Sequence, residues 1–419
     1  MAEALIPRDS LSLWWLGTPA QPQPIGTISL LDRGRSVGLR YGPQWLARGF
    51  ALSEDLPLVD MLFVPPQQDS AAGALDDARP DRWGERVIRK FEVTPRLSIL
   101  EFLLFAGDDR YGALGVSQSD RAYEPWQRGP LPAFAQLDEM AEVVRMVMAN
   151  EAVPELQRRL VKPGASLGGA RPKSMIEMEG RQWIVKFPEG DAMDTPMVEH
   201  AAMELARRCG IDAALTGALK LASGHAVAIE RFDRQPGARI HAVSAHVALR
   251  AAGQTLSYPE FAQLLRRFAP AGRVASQQAE LFRRMVFNIL IDNTDDHEKN
   301  HALLRQPDGS YLLAPAFDVL PTAQGLGYQM LQVGELGNES SLANAMSSCA
   351  QFGLKQEAAR QVIAEVCAGV AQWKQAFSAA GVAGDDIDLL ARFIDRDALR
   401  DQRAAFTPLA ARSRKPLRK

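Results

Sequence analysis

The sequence predicts an α+β protein: a small β-rich module, then a mixed α/β lobe, then a helical lobe. Three observations predict it. Short apolar runs alternate with turn residues over 11–50, strand-like segments alternate with helical periodicity over 133–232, and helical periodicity dominates from about 255 onward.

In the first module LSLWWLG, GTISLL and VGLRYG read as strands of a small sheet. Residues 82–105 turn helical, with Trp83, Val87, Ile88 and Phe91 at helix spacing. FAGDDRYGALGV is a glycine-punctuated turn leading to a strand, and the polar, proline-bearing stretch 117–132 reads as a linker. A helix near 133–149 is followed by a glycine-rich turn and two strands, SMIEMEG and QWIVKFP. A helix near 196–208 ends at Cys209–Gly210, where glycine suits a C-cap, and AVAIERF (226–232) is a further strand. Ser257-x-x-Glu260 has the form of a capping box opening EFAQLLRRF. AELFRRMVFNILI (279–291) carries apolar residues on nearly every face at its end and reads as a buried helix; 355–381 and 385–405 are amphipathic. The domain boundaries expected from this order are 1–125, 126–235 and 236–419.

Composition narrows the function classes. The chain has 419 residues, 47% hydrophobic and 23% charged, with a net charge of −2, ordinary for a globular protein and unlike a general nucleic-acid coat protein. Charge is uneven: no acid follows Asp401, while Arg403, Arg412, Arg414, Lys415, Arg418 and Lys419 do. This basic tail fits either an anionic partner such as DNA or a solubilising extension. Cys209, Cys349 and Cys367 form neither a disulfide framework nor a CxxC metal motif, which suits a reducing compartment. The N-terminus has no signal-peptide pattern, and no run of about 18 apolar residues occurs, so a cytoplasmic protein without a membrane span is expected.

The chemistry concentrates in NTDDHEKNH (293–301). Asp295 and Asn300 stand as D-x-x-x-x-N, a spacing that lets a carboxylate face a nucleophile while an amide oxygen one loop turn away faces a metal. His297 and His301, at i and i+4, would instead suit a metal ligand pair if the stretch were helical. Asp318 in LAPAFDVLP follows an apolar run and reads as a second metal carboxylate or as a turn acid before Pro321. Lys186, inside QWIVKFP, requires a phosphate or an acid unless it reaches water at a sheet edge. Glu199 or Glu204 on the next helix could orient it, with Glu199 preferred. The turn ASLGGARPK (165–173) offers the amides of Gly168, Gly169 and Ala170 to an anion, flanked by Ser166, Arg171 and Lys173. Alone it reads as an ordinary tight turn. The parts occur in the chain order of a kinase: glycine-rich turn, strand lysine, helix glutamate, D-x4-N, metal aspartate.

With these residues the chain resembles the HipA toxin kinases of bacterial type II toxin–antitoxin systems. The resemblance is carried by SLGGARPK, WIVKFP, AIERFDR, NTDDHEKNH and LAPAFDVLP. It extends through WLARGFALSEDLPL, PDRWGE and GDDRYGALGV, and so covers nearly the whole chain. It implies a bilobed, protein-kinase-like fold with a small β-rich N-terminal domain. It also implies ATP- and Mg2+-dependent phosphorylation of serine or threonine. Carried over by residue, Asp295 is the catalytic base and Asn300 and Asp318 are the Mg2+ ligands. The ATP-binding set is Ser166, Gly168, Gly169, Ala170, Lys173, Lys186, Glu230, Phe232 and His297. Within it Glu230 and Phe232 meet adenine, and His297 holds the loop by hydrogen bonds. Ser166 is the implied autophosphorylation site, whose added charge would repel ATP from the phosphate loop. Asp296 and Glu298 are expected to face solvent, Asp292 to cap the preceding helix or join the acid cluster, and His301 to be an ordinary neighbour. The implied partners are a HipB-like helix-turn-helix antitoxin, operator DNA through that complex, and a translation-related protein substrate such as glutamyl-tRNA synthetase. Two departures stand out: Asp296 occupies a position where some relatives have glycine, and GGARP replaces a GAQEK-like loop. Two other readings compete, a catalytically weak kinase-fold corepressor and a metal-dependent phosphohydrolase using Asp295, Asp296, His297 and His301.

Overall fold

The computed structural model describes residues 6–126, 129–164 and 169–406. The chain divides into two compact units: Met1–Glu189 with Leu219–Gln254 and Ala302–Gly309, and Gly190–Ala218 with Thr255–His301 and Ser310–Lys419.

The first unit holds two cores. One lies under a six-stranded sheet in the spatial order Leu62–Phe63, Ser36–Tyr41, Gln23–Leu31, Ser10–Trp15 and Leu114–Ser117, with Ser70–Ala71 added parallel to Ser36–Tyr41. Period-2 alternation puts Leu11, Leu13, Ile28, Val37 and Leu39 inside. The expected single helical stretch over 82–105 is two helices, Arg82–Phe91 and Ile99–Phe105. Pro95, which cannot donate a backbone hydrogen bond, lies in the break. Each helix has its own N-cap: Asp81 accepts from the Gly84 amide at 2.8 Å, and Ser98 forms a capping box with Glu101. The stretch expected as a linker is anchored where it is described. Trp126 packs edge-on against Phe105 with centroids 5.0 Å apart, and the Tyr123 hydroxyl donates to Asp108 at 2.8 Å.

The second core of this unit gathers Val143 and Val147 of helix Leu137–Met148 against Ile176, Val185 and Ala228. These last come from an antiparallel ladder through Lys173–Met178, Arg181–Lys186 and His225–Glu230. Just past the ladder, Asp233 is fully buried. Burial alone would raise its carboxyl, but the Arg231 and Arg234 guanidiniums hold it at about 2. The same two arginines donate to the Arg110 carbonyl at 3.0 and 2.8 Å, fastening this segment to the GDDRYG turn.

His241 is buried in the first unit beside Trp15 and Phe50, centroids 5.8 and 5.9 Å away, and its Nε2 donates to the Leu52 carbonyl at 2.7 Å. Burial pushes this imidazole down to about 4.

In the second unit helix Thr195–Arg208 closes as expected, with Gly210 at φ 77. Ser257 Oγ accepts from the Glu260 amide at 3.1 Å and starts helix Tyr258–Phe268, which packs on the buried helix Val274–Leu290. That helix delivers the chain to Asp292 at φ 58. Asp292 closes the helix as its left-handed C-terminal residue, its amide donating to the Ile289 carbonyl at 3.4 Å and the next amide, of Asn293, to the Asn288 carbonyl at 2.9 Å. Its carboxylate accepts from the Gly325 amide at 3.0 Å and pairs with Arg396, while its carbonyl accepts from the Thr322 amide at 3.0 Å and hydroxyl at 2.9 Å. Four bonds hold a conformation that costs an L-residue about 1–2 kcal/mol.

Two predictions follow from these buried charges. His241 binds its proton less readily folded than unfolded, so its contribution to stability is complete above the ordinary value of 6.5 and is lost as pH falls from there towards about 4. The urea midpoint should decline across that window, and His241→Gln should show a shallower decline; equal slopes would refute the assignment. Arg396→Ala should lower unfolding free energy by about 2 kcal/mol, less than for a sealed pair because the Arg396 side chain is 23% exposed. Adding Asp292→Asn in the same chain should recover part of that loss in urea titration.

Candidate functional site

In the first unit the ladder sets the geometry. Lys173 and Lys186 are directly opposite each other in the register, so both side chains leave the same face of the sheet. Both are buried, at 0% and 1% exposure. Like charges so placed are unfavourable unless anions lie among them. Asp81 supplies one carboxylate to Lys173, whose Nζ also donates to the Gly169 carbonyl at 2.6 Å. Lys173 therefore ties the end of the glycine-rich turn to the residue that caps helix Arg82–Phe91. Gly169 adopts φ 57, a conformation that glycine takes without a Cβ penalty, and Ala170 beside it is exposed. Ser166 and Gly168 lie outside the described residues. At the far end of the ladder Glu230 accepts from Arg181 at 3.0 Å, and the Phe232 ring meets Tyr111 edge-on at 6.1 Å.

In the second unit, Glu199 is buried on helix Thr195–Arg208, whereas Glu204 is engaged by Arg207 on the same helix. The NTDDHEKNH stretch is a loop closed by a single 3-10 turn, Glu298–Asn300, rather than an α-helix. His297 and His301 therefore do not share a helix face. His297 caps the turn, its Nδ1 accepting from the Lys299 amide at 3.2 Å while its carbonyl accepts from the Asn300 amide at 2.9 Å. Asp295 is exposed. Asn300 is buried, and its Oδ1 has no hydrogen-bond partner among the described residues.

The 316–325 segment is bound to this loop. Thr294 and Thr322 share a hydroxyl bond of 2.7 Å, and Thr322 and Gly325 are the residues that hold Asp292. One small cavity is lined by Asn300 together with Ala316, Phe317 and Val319, the neighbours of Asp318. Asp318 itself sits at φ 59. An amide oxygen with no donor and a carboxylate on an over-tied turn are hard oxygen ligands, the type Mg2+ takes, so these residues fit that ion. Among the described residues, no group of three or more His, Cys, Asp or Glu is disposed to hold a metal.

Two expectations are corrected here. Asp296 does not face solvent: it is buried, accepting from the Tyr258 hydroxyl and from His301 Nε2 at 2.8 Å. Burial would raise its carboxyl, but His301 and Tyr258 bring it below the ordinary range. His301 is correspondingly a buried partner of that carboxylate and not an incidental neighbour. The non-helical path through the 3-10 turn Glu298–Asn300 brings His301 back to Asp296, while Asp295 stays exposed. The Arg231–Asp233–Arg234 group was also unassigned from sequence; an acid flanked by two arginines just after an apolar strand was the available signal.

Two family models match the chain, the HipA-like C-terminal domain over residues 165–374 and the HipA N-terminal domain over residues 19–117. The chain is 27% identical over 341 residues to "Putative kinase Y4mE" of Sinorhizobium fredii, covering 74% of this chain and 77% of that protein. It is 31% identical over 165 residues to "Putative kinase Y4dM" of the same organism, covering 35% of this chain and 39% of the relative, so that match spans about two-fifths of Y4dM. Among solved structures it is similar to a chain of the Shewanella oneidensis MR-1 complex of HipA, HipB and operator DNA, with a TM-score of 0.64 at 17% identity, covering 94% of this chain and 97% of that one. The fold is thus α+β of the HipA type, with a β-rich N-terminal region. With half of its length matched by one family model and most of its N-terminal sheet by another, the chain belongs to the HipA family.

Proposed function

We propose that this protein is an ATP- and Mg2+-dependent serine/threonine protein kinase, the toxin of a HipBA-type toxin–antitoxin module. The observation that carries the reading is the second unit's arrangement. An exposed Asp295 and a buried Asn300 with an unmet Oδ1 share a loop that is tied to the turn bearing Asp318. The opposed lysines of the first unit add support, because Lys173 fastens the glycine-rich turn to Asp81 and Lys186 leaves the same face of the ladder.

In this reading Asp295 accepts the proton of a substrate serine or threonine hydroxyl. The oxygen attacks the γ-phosphorus of ATP, the bond to the β–γ bridging oxygen breaks, and ADP leaves. Lys186 binds the α- and β-phosphates. Gly168, Gly169 and Ala170 would cradle phosphate through backbone amides, with Ser166 flanking them, and Lys173 anchors that loop. Glu230 and Phe232 meet the adenine. Asn300 and Asp318 would hold Mg2+, which would offset the charge on the phosphates, and His297 keeps the loop closed. Phosphorylation of Ser166 in trans or in cis would switch the kinase off. The protein substrate would be a translation factor of the aminoacyl-tRNA synthetase class, glutamyl-tRNA synthetase among them. A HipB-like antitoxin bound to operator DNA would neutralise the toxin. No described helix is long and apolar enough to cross a membrane.

Incubating purified protein with labelled ATP and Mg2+ should place phosphate on Ser166 or on a protein of a cell lysate, and EDTA should abolish it. Asp295→Asn should reduce the rate about 10²–10⁴-fold, the range for removing a general base. No transfer by the wild type at saturating nucleotide would overturn the kinase reading. If such a protein still bound antitoxin and operator, the corepressor reading would take its place.

A further inference from the structure

The acidic loop has a buried side that phosphoryl transfer does not use. Asp296 directly follows the proposed base, yet its carboxylate is 3% exposed and turned into the second unit. Its Oδ2 accepts from two donors, the Tyr258 hydroxyl and His301 Nε2, the latter at 2.8 Å. Tyr258 begins helix Tyr258–Phe268 and in turn accepts from Asn288 Nδ2 at 3.4 Å, on helix Val274–Leu290. The His301 ring packs against Tyr258 and Phe261, with centroids 5.5 and 6.0 Å apart. Two helices and both ends of the loop therefore meet at one carboxylate.

The position of this bond in the chain matters more than its strength. Asp296 and His301 flank His297–Asn300, so their side-chain bond closes those four residues into a ring. Asn300 lies just inside the ring and Asp295 one residue outside it. The ring contains the 3-10 turn and the His297 cap, leaving few backbone torsions able to move either functional residue alone. An ionised carboxylate is retained in such surroundings only when donors reach it, and two donors converging on Asp296 Oδ2 from a helix and from the far end of the loop favour one geometry.

We infer that Asp296, His301 and Tyr258 are positioning residues that set the reach of Asp295 and Asn300. The inference rests on the kinase reading of that loop. None of the three touches substrate; they act through the two residues that do. A displacement of about 1 Å at reacting groups costs on the order of 10²-fold in rate, which is the scale at issue.

The test compares full-length variants by phosphotransfer kinetics and by amide hydrogen exchange over 293–301. Asp296→Ala and His301→Leu should each lower kcat by about 10–100-fold while KM for ATP stays within about threefold. Their amides over 293–301 should exchange at least about tenfold faster, with exchange elsewhere in the second unit unchanged. His301→Gln places an amide N–H near the position of Nε2 and should restore both readouts to within about threefold of wild type. His301→Asn, whose amide is one methylene short, should not; this pair decides the matter if the leucine variant does not fold. Wild-type kcat and wild-type exchange in folded Asp296→Ala would overturn the inference. A wild-type protein without phosphotransfer would instead remove the kinase reading, and the exchange measurements would still show whether the ring holds the loop.

Discussion

Buried charge is the constraint on which this structure turns. Lys173, Lys186, Asp233, Asp292 and Asp296 are all nearly sealed from solvent. An isolated charge in such a place would neutralise or draw in water, so the chain must deliver a counter-charge or several donors to each. Lys173 receives Asp81 and a carbonyl, Asp233 receives two guanidiniums and the Gly112 amide, Asp292 receives Arg396 and the Gly325 amide, and Asp296 receives Tyr258 and His301. Two of these pairings span long stretches of sequence: Asp81 and Lys173 are 92 residues apart, Asp292 and Arg396 104. The other two are largely local, Asp233 between Arg231 and Arg234 and Asp296 five residues from His301, so these charges fasten both remote elements and single loops.

The sequence made the regular parts legible because periodicity reports burial directly. Strand alternation placed Leu11, Leu13, Val37 and Leu39 in a core, and helical spacing placed Trp83, Val87 and Ile88 on an inward face. Boundaries were missed where a single residue outweighed the periodic pattern, as Pro95 does between Phe91 and Ile99. The stretch before 127 looked like a linker because it is polar, but its two aromatic residues, Tyr123 and Trp126, dock on the N-terminal core. Composition averages over a segment; anchoring needs only one or two side chains.

The functional loop shows the same division more sharply. Residue types and spacing singled out Asp295, Asn300 and Asp318, because the chemistry of phosphoryl transfer requires oxygen donors in that order. Spacing could not tell which way each side chain points. Asp295 and Asp296 are chemically identical neighbours, one exposed and the other buried. What separates them is a 3-10 turn and a histidine five residues on, and an i to i+5 bond across a non-helical loop leaves no periodic trace in sequence.

Backbone strain gives an independent view of which acids matter. Asp292 and Asp318 both occupy the left-handed region, at φ 58 and 59, where glycine would relieve about 1–2 kcal/mol. Glycine would also remove the carboxylate. At Asp292 the carboxylate answers a backbone N–H and a guanidinium, so the side chain offsets the strain structurally. At Asp318 the neighbouring residues line the same cavity as an amide oxygen with no donor. Asp318 and Asn300 thus lie on two segments that Thr294 and Thr322 tie together, and both carry oxygen donors of the kind a hard divalent ion takes.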